Sequence, residues 1–142
     1  MKINFFTEDI KFTLTNKRAV RTWLRSAIDD EGYYLDELNF IFCSDEYLLG
    51  VNQQFLQHDY YTDVITFDNS QERKTILGDI FISLDRVKEN AKDNRATTHH
   101  ELCRIMIHGT LHLLGYKDKT KRNKEQMTEK ENFYLDKLFP KY

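Results

Sequence analysis

The stretch "HGTLHLLGYKD", residues 108–118, decides the reading of this chain. His108 and His112 stand four apart, with Leu111, Leu113 and Leu114 supplying an apolar period around them. Residues at that spacing share one face of an α-helix, so the two imidazoles can be aimed at one point. Gly115 falls where the apolar period ends, and glycine is the favoured residue for the left-handed position just past a helix. A reversal there would carry Asp118 back beside the end of the helix. The stretch therefore predicts a helix, a glycine turn and a returning carboxylate.

Two imidazoles and a carboxylate suit zinc, and a catalytic zinc uses three protein ligands with one position left open. From His108 the offsets to His112, Gly115 and Asp118 are four, seven and ten. They reproduce the frame of metzincin-type zinc sites, with aspartate in the third place. The candidate ligands of one zinc ion per chain are thus His108, His112 and Asp118, with Asp63, Asp79 or a second water as alternatives to Asp118. In a zinc peptidase of the HExxH type the residue after the first histidine is a glutamate that acts as general base. Here that residue is Gly109, which carries no acid–base chemistry. A glycine inside a helix costs about 1 kcal/mol relative to alanine, so Gly109 signals close approach of another element or of a substrate. Glu101 stands seven residues before His108, two turns away, too far for a base. It reads first as an acid favoured by the helix dipole, and second as a partner for a ligand histidine or for Arg104.

Outward from the motif, the chain alternates strand and helix signals. "KINFFTEDIKFTL" reads as one or two short strands, followed by a helix over Lys17 to Asp30 capped by Asn16, with Ala19, Val20, Trp23, Leu24, Ala27 and Ile28 as its apolar stripe. "LNFIFCS" (38–44) is a strand, and Ser44 caps a helix over "DEYLLGVNQQFL". "HDYYTD" (58–63) is loop, "VITFD" (64–68) a strand, and "TILGDIFISL" (75–84) a near-continuous apolar strand of the kind found at the centre of a sheet. A polar helix from Asp85 to about Arg95 precedes the motif helix, which Thr97 or Thr98 caps. "KRNKEQMTEKENFYLDKLF" closes the chain as an amphipathic helix with Met127, Phe133, Tyr134 and Leu138 as packing candidates. The expected class is α+β: one domain over residues 1–142, a mixed sheet of about four strands flanked by helices, with a zincin-like metal helix.

Composition narrows the chemistry. The 142 residues are 40% hydrophobic and 31% charged with a net charge of −2, so a core is expected and no global basic field draws the protein onto nucleic acid. RNA contact would come from local patches. "KDKTKRNK" (117–124) puts Lys117, Lys119, Lys121, Arg122 and Lys124 beside the motif, and "KRAVRTWLR" adds Lys17, Arg18, Arg21 and Arg25. Tyr60 and Tyr61 are candidates for stacking on bases or for packing on the sheet. The two cysteines, Cys43 and Cys103, match no zinc spacing and read as reduced core thiols. There is no signal-peptide pattern and no run long enough for a membrane span.

With its motif in view, the chain resembles the YbeY family of bacterial metal-dependent, single-strand-specific endoribonucleases. "HGTLHLLGYKD" is similar to that family's HGxLHLxGYDH signature, and "DYYTDVITF" (59–67) and "LGDIFIS" (77–83) match in order. The likeness is specific over about residues 38 to 118. It implies a mixed sheet flanked by helices, zinc at the end of the motif helix, and action in ribosomal RNA processing (16S rRNA 3′-end maturation) and ribosome biogenesis. Single-stranded rRNA, the small ribosomal subunit and its assembly proteins are the implied partners, in the cytoplasm, with neither DNA nor membrane expected. His108 and His112 fall on the family's first two ligands, and Asp118 stands where its third ligand is histidine. Leu56 stands where the family carries an arginine implicated in activity; His58 or a lysine is the candidate replacement. Lys117, Lys119, Lys121, Arg122 and His58 are accordingly the candidate substrate contacts. A non-catalytic assembly factor with a retained metal site, or another metallohydrolase such as a peptidase, are the alternatives.

Overall fold

The computed structural model describes residues 2–140. Its elements are β1 (Ile3–Thr7), α1 (Lys17–Asp30), β2 (Tyr34–Cys43), α2 (Asp45–Leu56), β3 (Val64–Asp68), β4 (Thr75–Ser83), α3 (Leu84–Asp93), α4 (Thr98–Leu113) and α5 (Lys121–Leu138). The four strands form one sheet in the order β1-β2-β4-β3. β1 and β2, and β2 and β4, run parallel, while β3 pairs antiparallel to β4. The fold is a single α+β domain, as the sequence predicts.

β4 buries one side completely, through Ile76, Gly78, Ile80 and Ile82, while its other side, which carries Asp79, is only partly covered. Ile76, Ile80 and Ile82 belong to the main core, which the sheet shares with Val20, Leu24 and Ile28 of α1 and Leu102, Ile107 and Leu111 of α4. Opposite, α2 lays Leu48 and Val51 over Cys43 and Ile65, with Phe67 and Phe81 alongside. Serine and threonine caps start the helices: Ser44, Ser83, Thr97 and Thr120 each accept a first-turn backbone N–H. Among the described residues no helix is long and apolar enough to cross a membrane. Both cysteines are free and buried. Burial pushes each thiol up to about 12, with Asp9 and other nearby acids adding to the effect at Cys43, so neither is a ready nucleophile or metal ligand.

Several local expectations are corrected. Only the first half of "KINFFTEDIKFTL" is strand. Beyond Thr7 the Glu8 N–H still donates to the Phe42 carbonyl at 3.0 Å, after which the chain leaves the sheet, with Leu14 buried and Phe12 edge-on to Phe42 at 5.3 Å. β2 begins at Tyr34, four residues before the apolar run, because a register shift between Leu35 and Glu37 lets a polar segment still pair with β4. Asn16 precedes α1 in a left-handed conformation, φ 56°, and its side chain makes no capping bond. Ala19 and Phe133 face solvent. The face of α5 that is buried carries Met127, Glu131, Tyr134 and Leu135.

Candidate metal centre

α4 ends in a Schellman turn. The Gly115 N–H reaches the His112 carbonyl and the Tyr116 N–H reaches the Leu111 carbonyl, both at 3.0 Å. Gly115 sits at φ +99°, a conformation side-chain-bearing residues rarely adopt. The reversal returns residues 116–118 along the helix end. Asp118 Oδ2 then lies 3.2 Å from His112 Nε2 and 3.4 Å from His108 Nε2. The two Nε2 atoms are 3.1 Å apart. These three groups could hold a metal ion, each offering one atom, all within 4.8 Å of one another. The sequence alternatives for the third place, Asp63 and Asp79, are not part of this group. Asp79 accepts from Asn39 at 3.0 Å and from Asn69 at 3.3 Å; Asp63 accepts from Asn90 at 3.3 Å.

The hydrogen bonds behind the rings fix what the ring faces offer. His112 Nδ1 is 3.1 Å from the Tyr116 carbonyl, which only accepts, so Nδ1 carries the hydrogen and Nε2 presents a lone pair. His108 Nδ1 is 2.6 Å from Glu131 Oε2, a carboxylate, and the same conclusion follows. Two lone pairs and a carboxylate oxygen at about 3 Å repel one another unless a cation, a proton or a metal ion, sits where they meet. His108 answers that demand in its titration. Burial pushes its imidazole down, but the Glu131 hydrogen bond and the charges of Glu131, Asp118 and Asp63 outweigh it and hold the group above its ordinary value. The donor set of two imidazoles and one carboxylate fits a divalent ion such as zinc.

Glu131 is the residue that sequence reasoning missed. It lies 23 residues beyond His108, on α5, and is buried. Its other oxygen accepts from Arg104 Nη1 at 2.9 Å. The second reading of Glu101, as a partner for a candidate ligand histidine or for Arg104, describes Glu131 instead, which contacts both His108 and Arg104. Glu101 is buried too, but accepts from Asn94 at 3.2 Å. The available signal was Glu131's register with Met127, Tyr134 and Leu135: an acid on a buried stripe needs a partner. A second support lies under the turn. Glu31 accepts from the Tyr116 hydroxyl at 2.7 Å, from Lys130 at 3.0 Å and from the Tyr134 hydroxyl, anchoring the residue whose carbonyl orients His112.

Gly109 is explained by the sheet. A Cβ there would stand 3.0 and 3.1 Å from two Ile80 carbons and 3.3 Å from Thr66 Cγ2. The close approach belongs to β3 and β4, and it seats the histidine helix directly on the strands.

Against known proteins, a family model described as "Endoribonuclease YbeY" matches residues 2–139. The chain belongs to the YbeY family. The protein named Endoribonuclease YbeY from Cytophaga hutchinsonii is 55% identical over 133 residues, covering 94% of this chain and 93% of its own. The protein of that name from Amoebophilus asiaticus is 46% identical, covering 94% and 90%. The solution structure of TM1509 from Thermotoga maritima superposes with a TM-score of 0.67 at 29% identity, covering 96% of this chain and 89% of that one.

The remaining candidates of this YbeY-family chain lie outside the His108–His112–Asp118 group. Leu56 ends α2, 38% exposed, next to the more exposed Phe55. His58 stacks on Tyr60 at 5.1 Å and meets its hydroxyl at 3.0 Å, while Tyr61 bonds Glu46 and lies under Arg86. Both tyrosines are exposed. Lys117, Lys119, Lys121, Arg122 and Lys124 are exposed and engage in no ion pair among the described residues. Of the second basic run, Arg21 is structural: it donates to the Ile3 carbonyl at 2.9 Å and covers the Phe5 ring.

Proposed function

We propose that this chain is a zinc-dependent, single-strand-specific endoribonuclease that processes ribosomal RNA, acting as one metallohydrolase domain. The convergence of His108 Nε2, His112 Nε2 and Asp118 Oδ2, with both tautomers set for ligation, carries the proposal. Family membership supplies the reaction class, since the relatives are named as endoribonucleases. His108, His112 and Asp118 would hold one zinc ion. Bound there, zinc would supply Lewis acidity at a phosphoryl oxygen of the scissile phosphodiester. Asp118 contributes a negative charge where a third imidazole would be neutral, which tempers that acidity. Lys117, Lys119, Lys121 and Arg122 meet the RNA backbone from the segment after the turn, and His58 from the loop before β3. Such phosphate contact is sequence-blind and salt-sensitive, which suits a processing enzyme brought to its site by a larger particle. The particle in this proposal is the small ribosomal subunit with its assembly proteins, the event 16S rRNA 3′-end maturation, and the compartment the cytoplasm.

Tag-free protein, assayed for bound zinc and incubated with single-stranded rRNA and with casein, each with and without chelator, tests the proposal. Cleavage of RNA alone, lost with chelator and in His108→Ala, is expected. Casein cleavage would point to a peptidase. Unchanged RNA cleavage by His108→Ala would assign the activity to a contaminant. Bound metal without RNA cleavage would favour the non-catalytic assembly factor.

A further inference from the structure

We propose that Glu131 is the positioning residue of the metal centre: from α5 it fixes the ring orientation and tautomer of His108, and Arg104 fixes Glu131. The inference rests on the metal-centre reading above and adds a residue to it. Three observations carry it. Glu131 Oε2 lies 2.6 Å from His108 Nδ1, a short charge-assisted contact. Glu131 Oε1 accepts from Arg104 Nη1 at 2.9 Å, and Arg104 Nη2 is held by Asn132 at 2.9 Å, so the guanidinium is braced on α5 by two consecutive residues. Arg104 and His108 stand four apart on α4 and face the same way, so one carboxylate from α5 grips both.

Carboxylate, imidazole and ligating nitrogen therefore form one line. A neutral imidazole with its hydrogen on Nδ1 leaves Nε2 free to bind metal, and a carboxylate on that hydrogen raises the basicity of Nε2. The two ligand histidines differ in this respect. His112 is oriented by the backbone carbonyl of Tyr116, whereas His108 depends on a side chain carried by another helix. Packing of α5 against α4 thereby sets the metal affinity, and Glu131 does so without touching metal or substrate.

The test uses zinc alone as probe. Zinc affinity is measured by competition with a chromogenic chelator for wild type, Glu131→Gln and His108→Ala, alongside urea unfolding of the zinc-free proteins. Glu131→Gln should bind zinc about 10–100-fold more weakly, and His108→Ala more weakly still. Wild-type affinity in Glu131→Gln with loss in His108→Ala would overturn the positioning role and leave the metal centre standing. Wild-type affinity in His108→Ala would overturn the centre itself. A second measurement needs no variant. Imidazole nitrogen chemical shifts of zinc-free wild type at pH 9 should report His108 with its hydrogen on Nδ1. A hydrogen on Nε2 would overturn the proposal, however Glu131→Gln folds.

Discussion

Replacing Gly115 with alanine separates backbone conformation from side-chain contact at the metal centre. The added Cβ would meet nothing closer than the Tyr33 hydroxyl at 3.5 Å, an ordinary contact, so no steric clash enters. The cost comes from φ +99°. A left-handed conformation costs an L-residue roughly 1–2 kcal/mol, and alanine recovers less than that, about 0.4–1 kcal/mol, only where the native backbone suits it. If the turn opens instead, two backbone hydrogen bonds are lost, Gly115 to His112 and Tyr116 to Leu111, at about 0.5–1.5 kcal/mol each. The protein takes the cheaper route, so the loss in the metal-free protein is about 1–2 kcal/mol, the backbone cost, with opening of the turn costing up to about 3 kcal/mol. Opening the turn also withdraws the Tyr116 carbonyl from His112 and displaces Asp118, so each 1.4 kcal/mol relieved by releasing metal weakens binding about tenfold. The assay is urea unfolding of metal-free protein followed by Trp23 fluorescence, paired with zinc competition. Gly115→Asn serves as control, because asparagine tolerates left-handed backbone, and it should lose less on both measures. A Gly115→Ala protein within about 0.5 kcal/mol of wild type, the ordinary scatter of surface substitutions, would refute the reasoning. So would Gly115→Asn as damaged as the alanine variant.

Three further outcomes are expected. Gly109→Ala should destabilise by about 1 kcal/mol, because overpacking against fully buried Ile80 at about 1–3 kcal/mol exceeds the roughly 1 kcal/mol gained in helix propensity; urea unfolding should also show Ile80→Val returning part of the loss in the double variant. The metal-free protein should lose a stability contribution as pH rises. The folded-state value of His108 is raised above 6.5, so its contribution is complete below pH 6.5 and disappears as pH climbs through the raised value. Denaturant midpoints from pH 6 to 9 should show that decline in wild type and a weaker one in His108→Ala; equal slopes would contradict it. Leu56→Arg should speed RNA cleavage at unchanged zinc affinity, since the position is 38% exposed and admits a charge without burying it. An unchanged rate would remove position 56 from phosphate contact.

The sequence by itself determined the local geometry of this centre. The spacing of His108 and His112, the glycine at 115 and the threonine cap at 97 each act within a few residues of chain, where helix period and backbone preference dominate. The same short-range rules delivered β3 at 64–68 and α1 at 17–30. They failed where a neighbour decides. The polar start of β2 is strand because β4 offers it partners, and Phe133 faces solvent because the turn of α5 that meets the core carries Glu131 and Tyr134 instead. Tertiary structure brought Asp118, and not Asp63 or Asp79, into one group with the two imidazoles, gave Gly109 its reason in the strands beneath it, and brought Glu131 across 23 residues to His108. Helix periodicity aims a side chain at one side of its own helix; which group from another helix meets it there is set by how the two helices pack, and no spacing within either segment encodes that.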